Sequence, residues 1–162
     1  MKTHPKDEKS LIIMKPDAIQ RNLVGEIISR FERKGLKING LKMLALEDVL
    51  LEDHYKHIKD KPFFAGIKNF MKSSPVIVMA ISGIDAINAI RIIVGPTKAS
   101  EAPAGTIRGD LAMSIQSNVV HASDSVENGI EEVERFFGED ELFYYEKLDQ
   151  IMVYSDNYQE DN

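Results

Sequence analysis

Short apolar runs alternate with segments of helical period along almost the whole chain, and glycine or proline follows most of them. That punctuation restricts the fold more than any other feature, because alternating strands and helices must pack as layers around one core. Leu11 to Met14 is a strand-like run that stops at Lys15-Pro16-Asp17, since proline brings no donor to a ladder. From Leu23 to Lys34 the residues Leu23, Val24, Ile27, Ile28 and Phe31 share one helical face, and Gly35 follows where a left-handed cap is favoured. Leu36 to Ala45 reads as a strand with one well-buried face, interrupted by Gly40. Helices are expected over Val49 to Ile58 and over Pro62 to Met71, with Pro75 opening the β-branched run Val76 to Ile81, which suits a central strand. Ile84, Ile87, Arg91 and Val94 have helical spacing, closed by Gly95.

Residues 95–110 carry three glycines and two prolines without a periodic apolar face, so they read as a long ordered loop of the kind that is often functional. Val119 and Val120 form a brief strand, and Asp124 with Glu127 resembles a capping box for a helix whose apolar face is Val126, Ile130, Val133 and Phe137. The order predicts an α+β sandwich, a mainly antiparallel four-stranded sheet covered by helices. At 162 residues the chain fits one domain, expected over 10–154 between polar tails at 1–9 and 155–162.

Composition removes several kinds of chemistry. There is no cysteine, which excludes disulfides, thiolate nucleophiles and cysteine-based metal sites and is compatible with a reducing compartment. No run approaches the roughly 18 apolar residues of a membrane span and the first ten residues lack an apolar signal core, so a cytoplasmic protein is expected. A formal net charge of -6 speaks against sequence-independent binding to a nucleic-acid backbone. If the chain holds phosphate, its cations must be gathered locally.

His121 lies at the end of a short strand, just before the start of a helix whose backbone donors and dipole favour an anion. A neutral imidazole has a lone pair that can attack phosphorus without a strong base. On this segment alone, however, a core or capping histidine is the commoner outcome. Lys15, Arg91 and Arg108 stand at a strand end, a helix C-terminal turn and the glycine-containing loop, places that can converge on one cleft. Individually each reads as an ordinary surface cation. Neither a GxxxxGK[ST] loop nor a GxGxxG turn after a strand is present, and no carboxylates have metal-cage spacing. A magnesium ion, Mg2+, would arrive with nucleotide phosphates and keep several waters.

Taken together, these segments resemble the nucleoside diphosphate kinase family from about Ser10 to Tyr154. The resemblance is carried by Asn118-Val119-Val120-His121-Ala122-Ser123-Asp124, by Gly105-Thr106-Ile107-Arg108-Gly109-Asp110, by Lys15-Pro16-Asp17, and by Tyr55, Lys61-Pro62-Phe63-Phe64 and Arg91 in register with them. It implies a ferredoxin-like βαββαβ sandwich and a ping-pong transfer of the γ-phosphoryl group from a nucleoside triphosphate such as ATP to a nucleoside diphosphate such as GDP, maintaining the NTP and dNTP pools. His121 would be the nucleophile. Arg91, Thr97 and Arg108 would clamp phosphates, while Lys15 and Asn118 would reach ribose hydroxyls and phosphate oxygens. Tyr55 and His54 would lie near the transferred group, with Phe63 and Ile115 on either side of the base and Phe64 in the core. Ser123 and Glu132 would orient the imidazole, although periodicity alone turns Glu132 away from the apolar stripe and reads it as a solvated charge.

Two positions depart from the family pattern. Pro103-Ala104-Gly105 places alanine where proline commonly precedes the glycine, and Ala122 replaces a commoner glycine. The apolar C-terminal stretch through Leu142, Tyr145 and Leu148 to Tyr154 resembles the one that packs on neighbouring subunits in hexameric members, so a homohexamer is expected over a tetramer. The rival readings are a regulator that passes phosphate from His121 to proteins, and a non-catalytic ferredoxin-like module binding nucleic acid.

Overall fold

The computed structural model describes residues 7–154, the side chain of Ile151 excepted. Four strands form a single sheet: β1 (Asp7–Met14), β2 (Lys37–Leu44), β3 (Val76–Ile84) and β4 (Val120–Ala122), in the order β2-β3-β1-β4. Every neighbouring pair is antiparallel. Strands β1 and β2 are therefore parallel across β3, and β3 and β4 are parallel across β1, which makes two interleaved crossover units. The expected α+β sandwich with the ferredoxin-like βαββαβ order is what forms.

The helices are α1 (Pro16–Gln20), α2 (Val24–Arg33), α3 (Asp48–His54), α4 (Phe64–Met71), α5 (Ala86–Val94), α6 (Ile107–Leu111), α7 (Val126–Phe136) and α8 (Gln150–Val153). They cover both faces of the sheet. Ile12 and Met14 of β1 pack with Ala18, Ile27, Phe31 and Ile90 on one side. Leu11 and Ile13 pack with Leu51, Met71, Val133 and Phe136 on the other. Burial on both faces explains why β1 and β3 read as continuous apolar runs and not as alternating ones.

Several boundaries differ from expectation. Strand β1 begins at Asp7, so residues 7–9 belong to the sheet and not to a polar tail; residues 1–6 and 155–162 lie outside the described residues. The loop at 95–110 contains a 3-10 turn over Ala99–Glu101 and ends in α6. A five-residue helix is too short to display a period, and it is started by Thr106, whose Oγ1 accepts the Gly109 backbone N–H at 2.9 Å. Helix α3 stops at His54 rather than Ile58, which leaves His54 and Tyr55 at a helix end. Helix α7 is capped by Ser125, whose Oγ accepts the Asn128 N–H at 3.1 Å, and not by the expected Asp124–Glu127 box. The helix thus starts at Val126 and not immediately after His121.

Candidate active site

Strand register decides which way His121 faces. His121 pairs with Ile13, and directly opposed residues share a face, so its ring lies on the side of the sheet covered by α3 and α7. There it meets Glu132 from α7, with His121 Nε2 3.0 Å from Glu132 Oε2. Ser123 Oγ donates to the same oxygen at 2.6 Å and accepts the Leu11 N–H at 3.0 Å, which ties the carboxylate to the central strand. His54 stands edge-on to His121 with ring centroids 4.7 Å apart.

The electrostatics fix the proton on the imidazole. Burial by itself would push the Glu132 carboxyl up, but the hydrogen bond and charge of His121, with the Ser123 hydroxyl and His54, bring it down to about 2. An ionised carboxylate can only accept, so Nε2 of His121 must carry the hydrogen and Nδ1 keeps the lone pair. Among the described residues Nδ1 has no protein partner. Burial, then the neighbouring His121, lowers His54 to about 3 against the pull of Glu132, so that ring is neutral. Burial, followed by Glu132, raises the Tyr55 hydroxyl to about 12 and keeps it a donor.

A cleft of about 650 Å³ opens over His121. Of the residues singled out from the sequence, Lys15, His54, Tyr55, Phe63, Arg91, Thr97, Arg108, Ile115, Asn118, His121 and Glu132 line it, whereas Ser123 is fully buried behind the carboxylate. Lys15 Nζ donates to Asn118 Oδ1 at 2.7 Å, and the Asn118 amide donates to the carbonyls of Thr97 and Ile115, each at 3.0 Å. Asn118 therefore stitches together the end of β1, the loop after α5 and the turn before β4. Arg108 is buried and gives three of its N–H groups to the carbonyls of Gly95, Val120 and, at 3.4 Å, Asn118. Two of its five donors remain for a ligand. Burial and then Arg91 lower Arg108 to about 10, and burial and then Arg108 lower Lys15 to about 8 despite Asp17. Such mutual repulsion is relieved by an anion. Arg91 and Thr97 are solvent-exposed on the cleft wall. Phe63 and Ile115 leave 56% and 65% of their surfaces exposed there, an unusual position for apolar side chains unless something flat covers them, while Phe64 is buried as expected.

The sequence model of the nucleoside diphosphate kinase family matches residues 8–142. The chain belongs to the nucleoside diphosphate kinase family. A nucleoside diphosphate kinase of Parabacteroides distasonis is 49% identical over 150 residues, covering 93% of this chain and 98% of that one. One from Archaeoglobus fulgidus is 44% identical over 149 residues, covering 92% and 99%. Among solved structures, the Halobacterium salinarum nucleoside diphosphate kinase in complex with CDP superposes with a TM-score of 0.88 at 39% identity, covering 91% of this chain and 99% of that one. A family protein from Babesia bovis superposes with the same score, identity and coverages. The chain is an enzyme, a phosphotransferase of the nucleoside diphosphate kinase class.

Sequence reasoning misplaced or missed several parts of this kinase site. Of the expected stripe on α7, Val133 and Phe137 are buried but Val126 and Ile130 are 37% and 47% exposed, and the buried face of the helix is Gly129, Val133 and Phe136. Glu132 lies on that true face, so the periodicity that called for a solvated charge is corrected. Gly129 was the available signal: a Cβ there would sit 2.1 Å from the Lys9 carbonyl oxygen, so the helix approaches β1 along this side. Asp17 was quoted in a motif without a role, yet its Oδ2 accepts the Val119 N–H at 3.0 Å. Val119 has φ +62°, a left-handed setting that a β-branched residue adopts only when held. Nothing in the sequence marks that turn. Ala122 sits in ordinary ladder pairing with Ile12, where a Cβ is no hindrance.

Proposed function

We propose that this enzyme transfers the γ-phosphoryl group of a nucleoside triphosphate to a nucleoside diphosphate through a phosphohistidine on Nδ1 of His121. One observation carries the reading: Nε2 is bound to an ionised Glu132 at 3.0 Å, so the lone pair is left on Nδ1 of a ring that lines a cationic cleft. In the first half-reaction Nδ1 attacks the γ-phosphorus, the bond to the β-phosphate bridging oxygen breaks, and the nucleoside diphosphate departs with that oxygen. The hydrogen stays on Nε2 and is donated to the Glu132 carboxylate, whose negative charge offsets the positive charge gathering on the ring. In the second half-reaction a terminal oxygen of another diphosphate attacks the same phosphorus and the N–P bond breaks.

Lys15, Arg91 and the two free donors of Arg108 balance charge on the transferred group, helped by the Thr97 and Tyr55 hydroxyls. Neutral His54 stands beside it. Asn118 has committed both amide hydrogens, so its Oδ1, shared with Lys15, is what it offers a ribose hydroxyl. Phe63 and Ile115 would hold the base between apolar surfaces without reading its edge, which supports tolerance of purines and pyrimidines alike. The Halobacterium salinarum enzyme was solved in complex with CDP.

Magnesium enters as part of the substrate. Among the described residues the cluster with converging metal-type donors is His54, His121 and Glu132, and two imidazoles do not suit the oxygen shell that Mg2+ demands. The ion is expected on phosphate oxygens and water, where it neutralises charge brought by the nucleotide. The kinase domain expected over residues 10–154 is proposed to take in residues 7–9 of β1 as well, a homohexamer is proposed, and the cytoplasm is the proposed location; among the described residues no helix is long and apolar enough to cross a membrane.

The test is a two-step transfer. Mixing the protein with γ-labelled ATP is expected to give an acid-labile phosphoenzyme, and adding GDP or dTDP is expected to discharge it into the triphosphate. Label that reaches proteins but never a diphosphate would favour the protein-directed regulator, and the absence of any phosphoenzyme would remove the reading.

A further inference from the structure

We propose that His54, His121 and Glu132 form a three-donor site for a borderline-soft divalent cation of the zinc class, and that its occupation switches off the nucleophile. One donor atom from each residue can be chosen such that all lie within 4.8 Å of one another. Two separations are closer: His121 Nε2 is 3.0 Å from Glu132 Oε2, and His54 Nδ1 is 3.9 Å from Glu132 Oε1. A tetrahedral zinc ion with bonds near 2.1 Å needs donors roughly 3.4 Å apart; because the two separations end on different oxygens of Glu132, the carboxylate and both rings must turn to complete three corners. The fourth corner is left for a water or a phosphate oxygen from the cleft, the usual arrangement of an open zinc site.

The second observation is independent of this spacing. His54 is only 6% exposed, and among the described residues neither of its ring nitrogens has a hydrogen-bond partner. Buried polar atoms are nearly always satisfied, so an orphaned imidazole beside a carboxylate and a second imidazole points to a ligand that takes up one of its two free nitrogens. Imidazole and carboxylate together suit zinc far better than magnesium. Ser123, which donates to Glu132 at 2.6 Å, supplies the outer hydrogen bond that holds a ligating carboxylate in place.

Inhibition follows from proton placement. In the resting enzyme the hydrogen is on Nε2 of His121 and the lone pair on Nδ1. When a cation takes the Nε2 lone pair, that hydrogen moves to Nδ1, the nitrogen that attacks phosphorus. No proton is lost from the ring and no other reactant is needed. The bound imidazole is simply the wrong tautomer for phosphoryl transfer. This consequence rests on the phosphohistidine reading, whereas the binding itself does not.

The experiment titrates zinc chloride into the nucleotide-free protein by calorimetry and follows the imidazole nitrogens by NMR. Saturable binding of one ion per chain, with resonance shifts at His54 and His121, is the expected result. His54→Gln, checked for native folding by circular dichroism, should weaken the affinity at least about tenfold, whereas exposed His57→Ala should leave it unchanged. Absence of saturable binding, shifts confined to His57 or His4, or wild-type affinity in folded His54→Gln would each overturn the proposal. Because no turnover is read, a failed zinc titration leaves phosphotransfer standing, and failed phosphotransfer leaves zinc binding measurable.

Discussion

At the scale of single residues, the site works by assigning protons. Glu132→Gln keeps an acceptor near His121 but removes the charge that offsets the developing imidazolium. The phosphorylation rate should fall roughly 10- to 100-fold, the range typical of partners that orient an imidazole, with little change in nucleotide affinity. Rapid-quench measurement of phosphoenzyme formation checks both quantities. Lys15 gives a pH signature. Held at about 8, it is charged below that value and loses its proton as pH rises through it, so kcat/KM should decline above about pH 8. Lys15→Arg, whose guanidinium stays charged, should lose that particular decline. The linked stability term has the opposite slope: unfolded, this lysine titrates near its ordinary 10.5, so between about 8 and 10.5 the unfolded chain binds more protons and Lys15 by itself makes stability rise with pH.

At the scale of elements, legibility followed how locally each element declares itself. The strand β3 and the helix α2 announce themselves through β-branched content and a clean apolar face, and both form close to where the sequence puts them. Helix α6 does not, being one turn held by a Thr106 cap. The misjudged face of α7 has a sharper cause: Val126 and Ile130 look like core by type but lie on the outer side, because Gly129 lets the backbone, rather than a side chain, touch β1. Lys15, Arg91 and Arg108 were legible as separate cations, but their convergence was not, since it depends on an Asn118 amide and an Arg108 guanidinium bridging three loops. Gly129→Ala tests the α7 approach. Alanine gains up to about 1 kcal/mol of helix propensity, but overpacking against the Lys9 carbonyl costs about 1–3 kcal/mol, so the net effect is destabilising. A lowered urea midpoint together with slower phosphorylation is expected, because Glu132, three residues on, is carried away from His121.

At the scale of the whole molecule, the C-terminal stretch turns back along the sheet while leaving an apolar surface outward. The Phe143 N–H meets the Asn39 carbonyl at 2.7 Å, and the Tyr145 hydroxyl meets the Ile38 carbonyl at 2.9 Å. Yet Leu148 and Met152 are 97% and 87% exposed on the single chain. Sedimentation equilibrium should return about six times the 18.3 kDa chain mass if these residues pack on neighbours. Leu148→Asp should lower that mass without altering the far-ultraviolet circular dichroism, whereas a wild-type tetramer would remove the hexamer. The order of synthesis adds something that the finished fold conceals. His121 and the cleft cations Lys15, Arg91 and Arg108 lie upstream of Glu132, so a growing chain acquires the imidazole before the carboxylate that orders its hydrogens. Until α7 docks on β1, either tautomer is open to that ring, and the proposed competence for group transfer waits on α7, not on the strand that carries the histidine.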